Sequence, residues 1–471
     1  MNPTRQTLVV GGGISGLTAA RTLRDLDSDC LLLEQCPSLG GLTRTVEIGD
    51  FCFDYTGHFL HLSRYKTPAD IPYANLDNDD WQRIERRSCC YVAGKLIDAP
   101  IQYNLGQLPE KVLRQCVESY ETRPPMAGAA ITFRDYVVTG FGQYLADLFL
   151  IPQNEKTMAV SLDCLSSQAV KRFFPPPNDA LVQAGIRSER PKAGEYNSNF
   201  WYPKRGGIGA LVQGLSAGLP FSAVRTGQQV NAIDLGNRQL RTRSGDIFAW
   251  NRLFTSMPLK TLCQASNEPS LQMMAQELSH SSTVSFNIGL KGSLPAEFEG
   301  VHWIYVPDRA IPFYRVGFYS NISKGTCTPG HSALYVEVGV PGKDVDRVNM
   351  VNGLQAQVIA ALENLRWIHS GQIECMAIHI IRHAYVHHTQ KTDDLLKTIF
   401  QRLQECEIHP IGRYGLWDYT SMEDSMESAS STVREVIHGL QYCDTGAQRG
   451  ASSRQLDKLL PSHASSQSAA H

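Results

Sequence analysis

The chain has 471 residues, and at about 150 residues per domain this length predicts two to three domains or one elaborate domain. Hydrophobic residues make up 42% and charged residues 19%, which is ordinary globular composition and excludes a wholly disordered chain. The 44 basic and 46 acidic residues leave a formal net charge of -2, so the composition indicates neither a nucleic-acid-binding protein nor a polybasic membrane surface.

The distribution of cysteines and apolar residues favours a cytoplasmic protein. The 12 cysteines show no C-x-x-C pair and no regular spacing, so we expect reduced thiols and neither a zinc cluster nor a thioredoxin-like pair. No run of about 18 apolar residues is present, so no membrane-spanning helix is expected. We do not expect residues 8–20 to be a signal peptide, because three consecutive glycines interrupt them.

The start of the chain predicts a strand, a glycine-rich turn, a helix and a second strand. Residues 7–10 are a short apolar run, residues 11–16 read G-x-G-x-x-G, and residues 17–26 have helical apolar spacing. A second apolar run over residues 30–33 ends at Glu34. This order of elements, with an acidic residue at the end of the second strand, is typical of a dinucleotide-binding fold.

Each residue of this motif has a physical task in binding a dinucleotide. Gly11 makes the tight turn, Gly13 lets the backbone approach a pyrophosphate, and Gly16 lets the helix lie close to the strand. The free N–H groups at the start of the helix, at Ile14 and Ser15, favour the phosphates. The acidic residue at the end of the second strand can then accept a hydrogen bond from a ribose hydroxyl.

Residues 39–45, LGGLTRT, distinguish a flavin from a nicotinamide cofactor. Paired glycines here let the chain pass close to a ribityl group and a pyrophosphate, with Gly41 and Leu42 at the contact and Arg44 as the counter-charge. This arrangement resembles the second motif of the flavin amine oxidase superfamily. The other glycine-rich segment, residues 206–209, follows a proline and a lysine rather than a strand, so we expect no separate NADPH domain.

Later motifs resemble the group that holds UDP-galactopyranose mutases and related bacterial FAD proteins, with protoporphyrinogen oxidases as a more distant neighbour. Residues 54–61 resemble the G-x-H-x-x-H loop of that group beside the isoalloxazine ring, and they contain Gly57 and His58. Residues 412–419, followed by residues 421–426, resemble its closing flavin-binding motif. In that motif a glycine turn precedes a helix whose first N–H groups face the pyrimidine end of the flavin.

Three further segments resemble parts of the substrate site in this group. Residues 149–160 resemble a Pro-x-Asn-x-Lys segment, residues 313–315 resemble a strand whose arginine holds the substrate phosphates, and residues 384–385 resemble an Ala-Tyr-Pro segment. In the mutases an arginine precedes the Pro-x-Asn-x-Lys segment, but this chain has Ile151 there. An isoleucine cannot replace the charge-assisted hydrogen bonds of an arginine to phosphate, so a UDP-sugar substrate is disfavoured.

The resemblance implies FAD as the cofactor. The glycine motifs and the resemblance together predict the cofactor contacts, which are Gly11, Gly13, Ile14, Ser15, Gly16, Glu34, Gln35, Gly41, Leu42, Arg44, Gly57, His58, Val230, Gly412, Arg413, Tyr419, Asp424 and Ser425. Val230 belongs to this set because related proteins contact adenine through the backbone at this place. We predict that the opening glycines and the Gly412 turn hold opposite ends of one bound dinucleotide.

A smaller set of residues is predicted to act on the substrate. The predicted catalytic residues are His58, Arg315 and Tyr385, and the predicted substrate-binding residues are Asn154, Tyr314, Arg315 and Tyr385. His58 donates a hydrogen bond to the flavin or moves a proton near neutral pH, or it only fixes its loop. Arg315 contacts an anionic substrate or belongs to a buried ion pair.

The pattern of elements predicts an α/β protein with a doubly wound, Rossmann-like FAD-binding domain and an inserted α+β substrate domain that carries an antiparallel sheet. We assign residues 1–95, 203–262 and 373–440 to the FAD-binding domain, residues 96–202 and 263–372 to the substrate domain, and residues 444–471 to a disordered tail. We predict a helix over residues 103–120, a strand over residues 224–233, and antiparallel strands over residues 283–290, 300–306, 313–319 and 333–340.

The sequence predicts a FAD-dependent oxidoreductase that acts on a small polar or cyclic substrate at the flavin. The alternatives are a redox-neutral, mutase-like isomerase of a nucleotide sugar and a non-catalytic FAD-binding scaffold. A metal site is not predicted, because His379, His383 and His387 share a strand face but have no acidic partner at a suitable spacing. The predicted partner is a small-molecule substrate, and neither a nucleic acid nor a membrane span is expected.

Overall fold

The structure is a computed structural model that describes residues 5–125, 132–167, 174, 177–189, 198–346 and 350–439. Its strands, in chain order, are β1 (Arg5–Val10), β2 (Leu31–Leu33), β3 (Thr45–Ile48), β4 (Phe51–Asp54), β5 (Trp81–Glu85), β6 (Ser88–Val92), β7 (Lys95–Asp98), β8 (Asn199–Pro203), β9 (Val224–Arg225), β10 (Val230–Asp234), β11 (Gln239–Thr242), β12 (Ile247–Thr255), β13 (His280–Lys291), β14 (Trp303–Tyr305), β15 (Arg315–Phe318), β16 (His331–Pro341), β17 (Ile373–Val386) and β18 (Ile408–Pro410).

The helices connect these strands and cover the sheets. In chain order they are α1 (Ile14–Asp25), α2 (Glu110–Glu121), α3 (Phe133–Phe141), α4 (Gln143–Leu145), α5 (Ile151–Met158), α6 (Asp179–Ile186), α7 (Gly209–Ser216), α8 (Leu259–Ala265), α9 (Pro269–Glu277), α10 (Tyr319–Ile322), α11 (Met350–Asn364), α12 (Thr392–Glu405), α13 (Gly412–Gly415) and α14 (Met422–Ile437).

The first sheet carries the glycine motif at its centre. It has seven strands in the order β10-β11-β12-β1-β2-β9, and β18 pairs with β12 beside this path. β1 pairs in parallel with β2 and β12, while β10, β11 and β12 form an antiparallel meander. Val9 and Leu32 pack towards α1, α7 and α14, whereas Leu8 and Val10 pack towards α8, α9 and α12. Helices therefore cover both faces, and the predicted doubly wound domain is confirmed.

The second sheet has one apolar and one polar face. Its seven strands follow the order β17-β13-β16-β15-β14-β6-β7, and all neighbours are antiparallel except β14 and β6. On β13, Val284, Phe286 and Ile288 join a core that includes residues of α11. The alternate residues, among them Ser285 and Asn287, are also completely buried although they are polar. The predicted antiparallel sheet is confirmed, and its polar face points away from its apolar core.

Local turn chemistry shifts several elements from their predicted bounds. The predicted strand over residues 224–233 is two strands, because Gly227 takes a left-handed φ of +71° between β9 and β10. The predicted helix over residues 103–120 begins only at Glu110, since Pro109 precedes it and cannot continue a helix towards the N-terminus.

Strand pairing also shifts the proposed division of the chain. β17 pairs with β13 in the second sheet, although we assigned residues 373–440 to the FAD-binding domain. β6 and β7 join the same sheet through β14, although β6 lies within the assigned range 1–95. We therefore propose that the substrate domain includes residues 88–98 and 373–386. The predicted disordered tail, residues 444–471, lies outside the described residues.

The helices of the described part of the chain contain no candidate for crossing a membrane, because none is both long and apolar enough to span a bilayer. The predicted cytoplasmic location stays a prediction.

The packing of α1 on β1 can be tested at Gly16. A Cβ there would overlap the backbone carbonyl of Gly11, which cannot move aside. Replacing Gly16 by valine should therefore lower the free energy of unfolding by about 1–3 kcal/mol, measured by urea unfolding. Gly353→Ala in α11 is the matched control, because nothing lies within 4 Å of its Cβ position. Equal unfolding midpoints for the two variants would contradict the close approach.

Candidate active site

The turn after β1 leaves a surface open that is lined by glycines. Gly11 takes a φ of +103°, and Gly40 donates its N–H to the carbonyl of Gly12 at 2.7 Å. A Cβ at Gly13 would meet only the Cα of Gly41, at 3.8 Å. The two glycine segments therefore approach each other without side chains between them, as the binding of a pyrophosphate along this path requires.

Glu34 fixes the end of β2 against this turn. Its buried carboxylate accepts the Gly12 N–H at 2.6 Å and the Cys36 N–H at 2.8 Å. Gln228 donates its N–H to the backbone carbonyl of Glu34 at 2.7 Å, which brings the segment before Val230 to the same place. A carboxylate has about four lone-pair sites, so Glu34 can still accept a ribose hydroxyl.

Three further predicted cofactor residues lie near this turn, on its loops or at the start of a strand. Gln35 is exposed directly after Glu34, and Leu42 is half-buried in the turn after Gly41. Val230 is buried at the start of β10.

The closing motif lies against the opening motif. Gly412 takes a φ of +68°, and a Cβ there would overlap the side chain of Ser15. The helices that follow the two motifs, α1 and α14, pack together, and the Thr22 hydroxyl donates to that of Ser430 at 3.2 Å. We correct the prediction that the two turns hold opposite ends of a dinucleotide, because side-by-side turns can only flank adjacent parts of it.

The start of α14 offers two free N–H groups. Ser421 caps the helix, and its hydroxyl accepts the Asp424 N–H at 3.1 Å. The Ser425 N–H donates to the carbonyl of Ser421, so the N–H groups of Asp424 and Ser425 are both used within the helix cap, and the contact of these two residues with a cofactor stays a prediction. Within the described ranges, no hydrogen bond uses the N–H groups of Met422 and Glu423. These two groups can bind a ligand at the positive end of the helix.

The side chain of Glu423 ties α14 to the segment that directly follows Gly57-His58-Phe59-Leu60-His61. Its buried carboxylate accepts the N–H groups of Ser63, Arg64 and Tyr65 at 2.9, 2.8 and 3.2 Å. The Arg64 guanidinium donates to Asp424 at 2.8 Å. Residues 54–65, which we call the histidine loop, are thereby held against α14, which we call the closing helix.

The polar face of the second sheet adds a row of functional side chains. The strand register places five residues side by side across β17, β13, β16, β15 and β14, which are His379, Ser285, Glu337, Arg315 and Tyr305. Paired residues of neighbouring strands point to the same face, so this row projects together from the sheet.

Several buried polar atoms in this region have no hydrogen-bond partner within the described part of the chain. They are Nδ1 of His58, Oγ of Ser285, the hydroxyl of Tyr335, Nε2 of His379 and Nε of Arg413. Buried polar atoms without partners are rare in folded proteins. These are five of the twelve such atoms in the described residues, and their position beside the cofactor motifs makes this region a candidate ligand-binding site.

Two glycines make room for Tyr335 beside the histidine loop. A Cβ at Gly57 or at Gly317 would overlap its ring. The guanidinium of Arg315 lies 5.7 Å from the centre of the same ring. Tyr335 therefore lies between the sheet and the loop that carries His58.

His58 is held in its neutral form. Burial and the positive charges of Arg315 and Arg413 lower the pKa of His58 to about 4. Near neutral pH the ring therefore keeps one N–H and one lone pair. This favours a hydrogen-bonding role over the proton transfer that the sequence also allowed.

Arg315 forms a buried ion pair, one of the two alternatives that the sequence left open. Its Nη2 donates to Oε1 of Glu337 at 2.7 Å, and its Nε donates to Oε2. The Thr56 hydroxyl also donates to this carboxylate. Nη1 of Arg315 makes no hydrogen bond to any described residue, so its two N–H groups are available to a ligand. The positive charge of Arg315 is nevertheless balanced by Glu337.

Arg413 is a buried cation of a different kind. Its Nη1 donates to the carbonyl of Thr420 at 2.9 Å and its Nη2 to that of Ala384 at 3.2 Å. Its guanidinium lies 4.2 Å from the ring centre of Tyr419 and 5.6 Å from that of Tyr385. It forms no ion pair with an acidic side chain among the residues that the structure describes.

Arg44 joins the second glycine motif to the edge of the second sheet. Its Nε donates to the carbonyl of Gly41 at 2.9 Å, and its guanidinium lies 4.8 Å from the ring centre of Tyr55. The ring of Tyr55 stacks on that of His379, with 4.1 Å between the ring centres. His383 does not join this stack and packs on the ring of His280. Within residues 5–439 as far as they are described, no three histidine, cysteine or acidic side chains have the arrangement of a metal site.

The glycine segment 206–209 holds a carboxylate of the protein itself. The carboxylate of Asp54 accepts the Ile208 N–H at 3.0 Å and the Tyr202 hydroxyl at 2.8 Å. Burial raises the pKa of Asp54 to about 6, although these hydrogen bonds act to lower it. Strand β8 does precede the segment, so the reason we gave against a second fingerprint is wrong. A Cβ at Gly207 would lie 2.5 Å from Asp54, which leaves no place for a phosphate.

Two predicted substrate residues use their polar groups inside the protein. Asn154 donates to the carbonyl of Leu150 in its own helical turn at 2.7 Å. The hydroxyl of buried Tyr314 lies 3.4 Å from that of Thr283. Each side chain thus uses one polar group inside the protein, and the contact of both residues with a substrate stays a prediction. Ile151 is buried in an apolar cluster, so no charge replaces the missing arginine there.

Sequence reasoning missed Glu337, Tyr335 and Ser285. A signal for Glu337 was available, because a single acidic residue interrupts the apolar run ALYVEVGV over residues 333–340. A lone carboxylate in a strand that is otherwise apolar predicts a paired, functional group. Tyr335 lies two positions earlier and therefore on the same face.

These elements define a class: a dinucleotide-binding protein whose second sheet turns a polar face towards the cofactor motifs. A family model described as an NAD(P)-binding Rossmann-like domain matches residues 9–70. The chain is similar to a reduced UDP-galactopyranose mutase, with a TM-score of 0.85 and 25% identity over 94% of this chain and 97% of the mutase.

Two further proteins are similar over most of the chain. A protein from Exiguobacterium sp. 255-15, assigned as a protoporphyrinogen oxidase, has a TM-score of 0.70 and 18% identity over 92% of this chain and 98% of its own. Polyamine oxidase 2 from Arabidopsis thaliana is 21% identical over 360 residues, which are 73% of this chain and 69% of the oxidase.

These similarities confirm the predicted resemblance. The chain has the fold of the UDP-galactopyranose mutase and protoporphyrinogen oxidase group within the flavin amine oxidase superfamily. The resemblance is to enzymes that act on small molecules, and it implies a flavin cofactor.

Acidification should destabilise the protein. Burial lowers the pKa of His58 and His379 to about 4 and that of His383 to about 3, against 6.5 as the ordinary value. Below about pH 6.5 the unfolded state therefore binds more protons than the folded state. The free energy of unfolding has its full value above that pH and decreases as the pH falls towards 4. We expect a loss of at least about 1 kcal/mol from pH 7 to pH 5, measured by urea unfolding.

His383→Phe should reduce this difference between the two pH values, because it removes the histidine with the lowest pKa. Equal free energies of unfolding at both pH values in the unchanged protein would contradict the neutral, buried histidines.

Proposed function

We propose that this chain is a FAD-dependent enzyme that performs redox chemistry on a small polar or cyclic substrate at the flavin. The observation that carries the proposal is the cluster of buried, unpartnered polar atoms where the cofactor motifs meet the polar face of the second sheet. Such atoms require a ligand that supplies their hydrogen bonds. FAD fits better than a nicotinamide dinucleotide because the second glycine motif and the closing turn both border this place.

The residues present fit FAD. Gly13 and Gly41 leave a side-chain-free path for the pyrophosphate, and Arg44 provides a positive charge beside it. Glu34 accepts a hydroxyl of the ribose, and the free N–H groups at the start of α14 favour the electron-rich edge of the isoalloxazine ring. When bound, the flavin supplies the two-electron chemistry, and the protein supplies position and electrostatics.

The chain's own residues then bind and orient the substrate. His58 offers one hydrogen bond without changing its protonation state, because its pKa is lowered to about 4, chiefly by burial. Nη1 of Arg315 and the hydroxyl of Tyr385 make no hydrogen bond to any described residue, so both can position the reacting group. The buried sheet face excludes water from this place.

The reaction can be tested by mixing the yellow protein anaerobically with candidate substrates and following the visible absorbance of oxidised flavin. A substrate should bleach the flavin without added reductant, and readmitted oxygen should restore the colour. Tyr385→Phe should slow bleaching about tenfold, because it removes one orienting hydrogen bond. Tyr91→Phe in β6 is the control and should bleach normally. Bleaching by external reductant alone, without oxygen consumption, would contradict this function.

A redox-neutral mutase is the second candidate, favoured by the similarity to the reduced UDP-galactopyranose mutase over 94% of this chain. Ile151 weakens it, because a single balanced arginine is a poor clamp for a diphosphate. Titration of UDP into the purified protein decides between the two candidates. Absence of binding removes the mutase, and binding that Ile151→Arg strengthens would support it.

The cofactor assignment is tested at Gly13. The protein itself has room for a larger residue there, since a Cβ would meet only Gly41 at 3.8 Å. Gly13→Val should therefore fold normally but crowd the pyrophosphate and yield colourless protein. Glu34→Ala should weaken FAD binding by at least about 1–3 kcal/mol, because it removes the acceptor for the ribose and also leaves the Gly12 and Cys36 N–H groups of the loop without their partner. A yellow Gly13→Val protein with a full complement of FAD would refute the assignment.

A further inference from the structure

The charged side chains that act on the Tyr385 hydroxyl, which are Arg315, Glu337 and Arg413, carry one net positive charge. The ion pair of Arg315 and Glu337 is neutral as a unit, and His58 is uncharged near neutral pH. Arg413 remains: it is bonded to two backbone carbonyls and to the side chains of Tyr414 and Tyr419, but to no carboxylate among the described residues. Burial and Tyr419 raise the pKa of Tyr385, and the charged groups that act on the same hydroxyl are Arg315, Glu337 and Arg413. The net charge therefore lies close to the Tyr385 hydroxyl.

A buried guanidinium without a counter-ion is costly. The rings of Tyr385 and Tyr419 offset part of this cost, because a cation is attracted to an aromatic face. Nε of Arg413 still has no acceptor within the described residues. A ligand that brings one negative charge would satisfy both the charge and the free N–H group.

An ammonium substrate does not fit this place. The carboxylate of Glu337 is already used by Arg315 and Thr56, and that of Glu423 by the backbone of the histidine loop. No unpaired carboxylate within the described ranges borders Tyr385, so a cationic amine would meet Arg413 without a compensating partner.

A diphosphate does not fit either. Two phosphates carry at least two negative charges, whereas the site offers one unbalanced cation. The position that would hold a second arginine is occupied by Ile151, which is 2% exposed and packed among apolar side chains.

We propose that the substrate of the proposed reaction carries a single negative charge, as a carboxylate does, and that Arg413 binds this charge beside the hydroxyl of Tyr385. We predicted Arg413 as a cofactor contact, but its neighbours on the substrate side of the site make it a determinant of substrate charge. This inference rests on the proposed function, because it places the anion next to the flavin.

The test uses three probes of different charge with the full-length, FAD-loaded protein: benzoate as a monoanion, spermidine as a polycation and UDP as a diphosphate. Isothermal titration calorimetry should show benzoate binding that Arg413→Gln weakens at least tenfold. Arg413→Lys should retain most of it, which separates loss of charge from loss of folding. Arg382→Gln, an exposed arginine on β17 paired with Asp346, is the matched control and should bind benzoate normally.

Glu337→Gln is a second test, in which the expected result is tighter binding of UDP. A variant that fails to fold cannot produce this result. The substitution removes the counter-charge of Arg315, so the site should gain affinity for UDP about tenfold or more. Tighter binding of spermidine or UDP than of benzoate by the unchanged protein would overturn the proposal. So would an absence of benzoate binding, or unchanged binding in Arg413→Gln. FAD content, measured on the same samples, reports separately on the proposed function.

Discussion

A β-sheet face that is buried and polar imposes a requirement on everything packed against it. Hydroxyl, imidazole and guanidinium groups on such a face must be bonded by something, because water is excluded. In this protein part of the requirement is met internally, by the pairing of Arg315 with Glu337 and by Asn287 with the loop carbonyl of Asp54. The remainder is not met by the described chain. The arrangement of the glycine motifs, the histidine loop and the closing helix around this face is explained if a ligand lies between them.

The sequence was informative wherever a short stretch determines both shape and chemistry. The glycine turn, the helix after it and Glu34 lie within thirty-four residues, and local geometry brings them together. The strands of the second sheet could be predicted because apolar residues alternate along them.

The partners across the sheet could not be predicted in the same way. Glu337 meets Arg315 only through the register of β16 and β15, and Ser285 meets His379 only through that of β13 and β17. Register depends on how all strands of a sheet align, which no single segment determines.

The UDP-galactopyranose mutase and the protein assigned as a protoporphyrinogen oxidase are named for different substrates, yet both share the fold of this chain. In this chain the opening and closing glycine motifs follow strands of the first sheet, whereas Arg315 and Tyr385 lie on the second sheet. A substitution outside the cofactor motifs, such as an isoleucine at position 151 at the start of α5, can therefore change the charge that the site accepts while the cofactor frame stays intact.

Asp54 has a consequence for the order in which the chain matures during synthesis. Its carboxylate and carbonyl are bonded by Thr45 and Tyr202 and by Asn287, which lies 233 positions further along the chain. Contacts between such distant segments form only after the intervening chain has closed on itself, which slows their formation. A nascent chain on the ribosome already contains the glycine motif when this network is still incomplete. The network around Asp54 is therefore complete only after β13 of the second sheet has been translated.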